Sequence, residues 1–138
     1  MQVKLTGKTV RIEGATNPIS TTLRERLAEN GALNLPDGVP DLLILSAPLQ
    51  DASGCDWETL AGSAHTMGME MKKRGAGRIV FLLSACAALA TRRQPELSMR
   101  MAGLHAVTRT LAMSLAPEVA VNALGAGAIG DGTGEFCS

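Results

Sequence analysis

The chain has 138 residues, of which 46% are hydrophobic and 19% charged, as is typical of one globular domain with a well-buried core. Thirteen basic and thirteen acidic residues cancel, which argues against a nucleic-acid-binding surface. The three cysteines are too far apart to form a metal-binding motif or a disulfide pattern, and no leader or membrane-spanning apolar segment is present. We therefore expect a cytoplasmic protein that binds no metal, no nucleic acid and no membrane.

Apolar periodicity and turn residues predict seven elements that alternate between strands and helices. In chain order they are a strand at 8–13, a helix at 19–30, a strand at 41–47, a helix at 57–73, a strand at 78–83, a helix at 95–116 and a strand at 119–124. Such alternation predicts an α/β fold, a reduced Rossmann-like three-layer domain with four or five parallel strands. We expect this domain to span residues 1–130 and residues 131–138 to form a flexible tail.

The first helix has clear start and stop signals. Asn17 can cap the helix, and Pro18 suits the first helical position because its missing N–H would have no helical partner there. Gly31 is well placed to end the helix.

Three segments in the C-terminal half resemble the short-chain dehydrogenase/reductase family. They are Gly77–Ser84 (GRIVFLLS), 97–112 (LSMRMAGLHAVTRTLA) and 121–127 (VNALGAG). The resemblance implies that a Ser at the end of one strand should be followed, thirteen positions later, by a Tyr-x-x-x-Lys pair on the next helix. Ser84 is present, but Leu97 and Met101 occupy the Tyr and Lys positions. Neither side chain can transfer a proton at neutral pH, so this would be a catalytically degenerate member with a vestigial Ser84.

Residues 5–20 resemble the opening strand and the glycine-rich turn of that family, and residues 41–48 resemble its strand that ends in an Asn-Asn-Ala-Gly motif. Of the three glycines in the turn only Gly14 remains, because Pro18 and Ser20 occupy the other two positions. The nine residues 32–40 are also too short for the strand–helix–strand unit that holds the adenosine end of the cofactor in the family. The resemblance therefore implies a truncated member, and we expect no bound cofactor.

Ser84 could still serve as a nucleophile if a base lay within hydrogen-bond reach. His65 and His105 are the two histidines, and neither position on its predicted helix suggests such a pair. The favoured interpretation is a serine at a strand end that bonds to local backbone.

Methionines are concentrated in the second and third helices, where apolar residues cover more than one face. The resemblance implies that these two helices pack against the same pair in a neighbouring subunit. The residues predicted for this interface are Leu60, Ala64, Met67, Met71, Met99, Ala102, Ala106 and Met113. The alternative is that a shortened domain simply wraps its own long helix.

Three functional hypotheses follow. The leading one is a non-catalytic subunit that acts as a structural or regulatory partner of an active reductase, or that self-assembles. The alternative is a domain that binds or senses a small molecule in the crevice at the carboxyl ends of the strands, around Ala15, Ser46, Ala47 and Ser84. A residual oxidoreductase using NAD(P) is the least favoured, because the pocket would lack an acid–base pair.

Overall fold

A computed structural model describes residues 4–50, 52–89 and 94–127 as a five-stranded parallel sheet with helices on both faces. The elements in chain order are β1 (Thr9–Gly14), α1 (Pro18–Glu29), β2 (Leu33–Asn34), β3 (Leu42–Ser46), α2 (Trp57–Arg74), β4 (Gly77–Ser84), a 3₁₀ turn (Ala85–Ala87), α3 (Pro95–Leu115) and β5 (Val119–Ala126). The strand order is β2-β1-β3-β4-β5, and every neighbouring pair is parallel. The predicted α/β class and parallel sheet are confirmed.

The two faces of the sheet are covered unequally. Along β3 the side chains alternate, so that Ile44 faces α1 while Leu43 and Leu45 face α2 and α3. The α1 side holds a small cluster around Val10, Ile44 and Leu82. The opposite side holds the main core, to which the 3₁₀ turn and both long helices contribute. One helix therefore covers one face and two helices cover the other.

The α2 and α3 helices approach each other closely. A Cβ built on Gly68 of α2 would lie 2.4 Å from Leu115 Cδ1 of α3 and 3.3 Å from Ile79 Cδ1 of β4. A methyl group at this position would force the buried Leu115 side chain to shift, because real Cβ atoms do not come within 3 Å of a neighbouring carbon atom. Gly68 therefore brings α2, α3 and the sheet into contact.

The short stretch 32–40 contains a strand that the periodicity did not predict. The N–H of Leu33 donates to Lys8 O at 2.8 Å and the N–H of Leu35 donates to Val10 O at 2.9 Å, which places β2 beside β1. The chain then passes directly to β3 without a helix, and the N–H of Asp41 donates to Thr9 O at 3.0 Å. The stretch is thus long enough for two strand residues and too short for a further crossover helix.

The last strand runs beyond its predicted end at residue 124, to Ala126. Asn122 lies in the middle of β5, where it is exposed and paired with Val80. The predicted tail at 131–138 lies outside the described residues. Within the described ranges, no helix combines the length and apolarity needed to cross a bilayer.

Candidate functional site

The turn between β1 and α1 forms a complete capping box. Asn17 accepts the N–H of Ser20 on its Oδ1 at 2.9 Å, and the N–H of Asn17 donates to Ser20 Oγ at 3.0 Å. The Ser20 hydroxyl, almost fully buried, donates back to the carbonyl of Asn17 at 3.0 Å. Each partner therefore satisfies a backbone group of the other, as the predicted helix start requires.

This arrangement reduces the number of backbone N–H groups that the helix start could offer to an anion. The first residue of α1, Pro18, has no N–H, the N–H of Ser20 donates to Asn17 Oδ1, and the N–H of Asn17 donates to Ser20 Oγ at 3.0 Å. Phosphate binding at a helix start depends on backbone N–H groups that are free to point at the ligand. Pro18 and Ser20 lie at two of the vestigial glycine positions. Both leave the start of α1 with fewer backbone N–H groups that could bind a phosphate.

Gly14, the third vestigial position, has a packing role. Its φ is +97°, and a Cβ built on it would lie 2.3 Å from the carbonyl oxygen of Ser46 and 2.9 Å from Leu60 Cδ2. The N–H of Ala15 donates to the same carbonyl at 2.7 Å, and Asn17 Nδ2 donates to Ser46 Oγ at 2.9 Å. The glycine lets the β1–α1 turn bond to the end of β3.

The space beside β1 is filled by an arginine network that sequence reasoning missed. Arg11 Nε donates to Leu35 O at 2.9 Å, and its guanidinium also bonds to Gly38 O. Glu13, whose Oε1 lies 3.3 Å from Arg11 Nη1, accepts the hydroxyl of Ser63 on its Oε2 at 2.6 Å. These contacts join β1 to loop 35–38 and to α2. The sequence did offer a signal for this network. Arg11 and Glu13 lie two positions apart in a predicted strand, which places both side chains on the same face.

Ser84 bonds locally, as the sequence suggested. Its Oγ accepts the N–H of Cys86 at 3.3 Å and so caps the 3₁₀ turn. Leu97 and Met101 are 3% and 0% exposed and belong to the main core together with Cys86 and Phe81. Apolar side chains therefore pack where the resemblance implies a phenol and an ammonium.

The remaining reactive groups offer little chemistry. Burial raises the pKa of the Cys55 thiol, with the Asp56 carboxylate acting in the same direction, and a raised pKa lowers the fraction of nucleophilic thiolate. His65 is exposed on α2, whereas His105 is partly buried on α3. Among residues 4–50, 52–89 and 94–127 no cluster of His, Cys, Asp or Glu could hold a metal ion.

The carboxyl ends of the strands do bring together the residues of the small-molecule hypothesis, but two of them are inaccessible. Ser46 and Ala47 are fully buried, and the N–H of Ala47 donates to Leu82 O at 3.0 Å. A cavity of about 810 Å³ instead lies at the opposite end of the sheet on the α1 side. Its lining includes residues near the starts of four strands, namely Thr9, Leu42, Gly77 and Ala120.

The structure corrects half of the predicted interface. Leu60, Ala64 and Met71 are buried in the core of the domain, where they contact the sheet and α3, and Met67 is partly buried against the same core. A side chain already buried within its own chain has no surface to offer a neighbour. The apolar stripe of α2 was thus its core-facing side, as is usual for amphipathic helices.

The four predicted interface residues of α3 lie on its outer side. Met99 and Met113 are 64% and 77% exposed, and Ala102 and Ala106 between them are exposed as well. We call these four residues the α3 outer surface.

Comparison with solved structures identifies the fold. A gluconate 5-dehydrogenase from Burkholderia cenocepacia matches with a TM-score of 0.70 and 19% identity, covering 91% of this chain and 72% of its own. A putative short-chain alcohol dehydrogenase from Sinorhizobium meliloti matches with a TM-score of 0.66 and 19% identity, covering 96% and 76%. L-Sorbose reductase from Gluconobacter frateurii matches with a TM-score of 0.63 and 17% identity, covering 91% and 71%.

No protein-family model and no curated protein matches the chain. The structural matches show that the chain has the Rossmann-like fold of the short-chain dehydrogenases/reductases. At these identities they establish the fold alone.

Proposed function

We propose that this chain is a non-catalytic member of the short-chain dehydrogenase/reductase family that acts as a structural or regulatory partner of an active reductase. The observation that carries the proposal is the burial of Leu97 and Met101 at the two positions where the resemblance requires a proton donor and a cation. A reductase needs an acid within hydrogen-bond reach of the carbonyl it reduces. Here that location is part of the hydrophobic core.

The cofactor side supports the same conclusion. The start of α1 binds its own side chains, and the Arg11 network occupies the region next to β1 and loop 35–38. A dinucleotide would have to displace the capping box of Asn17 and Ser20 to gain the backbone N–H groups that bind pyrophosphate. The start of α1 and the region beside β1, where the resemblance implies the cofactor, thus both make contacts within the chain.

The α3 outer surface supports action through a partner. Its two methionines are more than 60% exposed and are separated by exposed alanines. Contact between this apolar area and water is unfavourable, so burying the area against a partner would lower the free energy. Small residues allow another helix to approach, and methionine adapts to an irregular partner. The implied interface of the family uses the same helix, so an intact reductase is the natural occupant, and a second copy of this chain is the alternative.

The loss of catalysis can be tested by ligand binding and turnover. The midpoint of thermal unfolding of the purified chain should not shift when NADH or NADPH is added up to millimolar concentration, because a ligand that binds only the folded state would stabilise it by RT ln(1 + [L]/Kd). Incubation of NADH or NADPH with a panel of ketones and ketoses, and of NAD+ or NADP+ with a panel of alcohols and sugars, should give no change in absorbance at the nicotinamide band. Stabilisation that grows with nucleotide concentration, or steady turnover, would refute the proposal.

Partner binding requires a second test. The chain should be mixed with reductases encoded beside its own gene, and the mass of each mixture measured by light scattering. A complex is expected with one of them, and Met99→Glu/Met113→Glu should abolish it, since two charges would be buried in the interface. Leu33→Glu is the matched control, because Leu33 is 59% exposed on β2, away from α3. Failure of every mixture, or equal loss with the control, would contradict the assignment.

A further inference from the structure

Among residues 4–50, 52–89 and 94–127, β5 forms one edge of the sheet, and the strand has none of the usual protections of an edge strand. It spans eight residues, Val119–Ala126, and its sequence, VAVNALGA, contains no charged residue and no proline. The strand at the other edge, β2, is only two residues long. Natural edges are normally short, charged, bulged or interrupted by proline, because an open row of N–H and C=O groups pairs with any suitable strand.

The exposed side of this strand is also partly apolar. Leu124 is 54% exposed and, with Ala120 and Asn122, points to the face that carries α1. The cluster beneath α1 includes Val10, Ile44 and Leu82, which lie on β1, β3 and β4, and no residue of β5 belongs to it. Within the described part of the chain only β4 pairs with β5, so the outer row of β5 backbone groups and the exposed Leu124 side chain together favour another strand as the occupant.

The sequence of β5 complements itself in one antiparallel register. A two-fold axis perpendicular to the sheet keeps each side chain on its own face, so residues directly opposite each other must be an even number of positions apart. With the axis at Asn122, each larger side chain meets a small one. The opposed pairs are Val119 with Gly125, Ala120 with Leu124, Val121 with Ala123, and Asn122 with its own copy.

This register also avoids electrostatic conflict. The nearest charged residue along the chain, Glu118, would lie opposite Ala126 of the other copy, so no two like charges face each other. At the axis, the two Asn122 amides can each donate to and accept from the other. Moving the axis by one residue, to Ala123, would place Leu124 opposite Asn122 and lose the match of large with small.

We propose that β5 is a self-association site, through which two copies of this chain pair antiparallel about Asn122 to give a continuous ten-stranded sheet. Since the axis is perpendicular to the sheet, α2 and α3 of both copies lie on the same side, and Leu124 packs against Ala120 of the other copy. This pairing uses a different surface from the α3 outer surface and does not depend on the proposed function.

The test uses charge at the axis, in the Met99→Glu/Met113→Glu background that removes association through α3. That background should be a dimer by analytical ultracentrifugation. Asn122→Lys and Asn122→Glu should each be monomeric, because identical charges would face each other across the axis. An equimolar mixture of the two variants should dimerise again, since lysine then faces glutamate. Asn34→Lys, an exposed asparagine on the other edge strand, is the matched control and should remain a dimer.

Three results would each overturn the proposal. They are a monomeric background protein, an Asn122→Lys variant that still dimerises, and a mixture that stays monomeric. Far-UV circular dichroism and the urea midpoint of each variant check the fold, and both should match the background because Asn122 is exposed. If Asn122→Lys proves unfolded, the double variants Ala120→Lys/Leu124→Lys and Ala120→Glu/Leu124→Glu replace it, because each places like charges opposite each other and only their mixture pairs lysine with glutamate.

Discussion

Asn17 and Ser46 lie 29 residues apart in the sequence and are joined by a hydrogen bond of 2.9 Å, from the Asn17 amide to the Ser46 hydroxyl. Asn17 caps the start of α1, and Ser46 is the last residue of β3. The Asn17 side chain therefore both caps the helix and connects it to the carboxyl end of the sheet, where a cofactor would bind. Since Ser46 is fully buried, its hydroxyl has no access to water that could replace this bond.

The two roles of Asn17 should separate by substitution. Asn17→Ala should lower the free energy of unfolding by about 1–3 kcal/mol, because it removes both the cap and the bond to Ser46. Asn17→Ser keeps a capping oxygen but is too short to reach Ser46, so it should cost about 1 kcal/mol. A double-mutant cycle of Asn17→Ser with Ser46→Ala, followed by urea unfolding, should give a coupling energy near that value. Additive losses would show that the bond contributes nothing.

Gly14 should tolerate alanine much less well than another glycine with a similar backbone conformation. Gly7 has a φ of +80° with open space around it, so Gly7→Ala should cost only the left-handed strain of about 1–2 kcal/mol. Gly14→Ala adds a collision with the Ser46 carbonyl and should cost at least about 2 kcal/mol more. Urea unfolding of both variants makes the comparison, and equal losses would show that the close approach is unimportant.

Restoring the lysine of the family at position 101 should unfold the protein rather than activate it. Met101 is fully buried, so Met101→Lys would place an ammonium in the core at a cost of about 3–5 kcal/mol. Met99, two residues earlier on the same helix, is 64% exposed, and Met99→Lys should change the free energy of unfolding by less than about 0.5 kcal/mol. A Leu97→Tyr/Met101→Lys protein that folds and reduces a carbonyl would contradict the packing argument.

Acid should weaken the link between the starts of β1 and β3. Hydrogen bonds from the Thr9 backbone N–H and hydroxyl hold the pKa of Asp41 below its usual value, with help from Lys8 and Arg74, against a smaller opposing effect of burial. A lowered pKa means that this contribution is complete above about pH 4 and is lost as pH falls through the folded-state pKa. Because the carboxylate is 37% exposed, solvent screening limits it to under about 1 kcal/mol.

The measurement for Asp41 is the difference in unfolding free energy between the wild type and Asp41→Asn as a function of pH. The wild type should be the more stable near neutrality, and the difference should shrink below about pH 4. A difference that stays constant down to pH 2 would show that the charge of Asp41 is irrelevant to this link.

The sequence predicted the order of the main strands and helices because their apolar periodicities are long and their boundary residues are specific. The start of α1 at Asn17 and Pro18 is an example, since both act through their immediate neighbours. The two-residue β2 was not predicted, because Leu33 and Asn34 pair through backbone atoms alone and such pairing leaves no pattern of side chains.

The predicted interface was half wrong for a related reason. Periodicity identifies an apolar stripe but does not say whether the stripe faces the sheet of the same chain or another molecule. On α2 the stripe with Leu60 and Met71 faces its own core, and on α3 the residues Met99 and Met113 face outward.

The bond between Asn17 and Ser46 depends on the register of β1 and β3, which short-range sequence patterns do not specify.

In this sheet every strand has only parallel neighbours, so no hairpin can form early and hold two strands together while the rest of the chain searches for its place. The contacts between paired strands join residues 24 or more positions apart, and such contacts are slow to form because long loops must close first. Refolding should accordingly take milliseconds to seconds, and a ribosome must release most of the chain before β4 and β5 can meet.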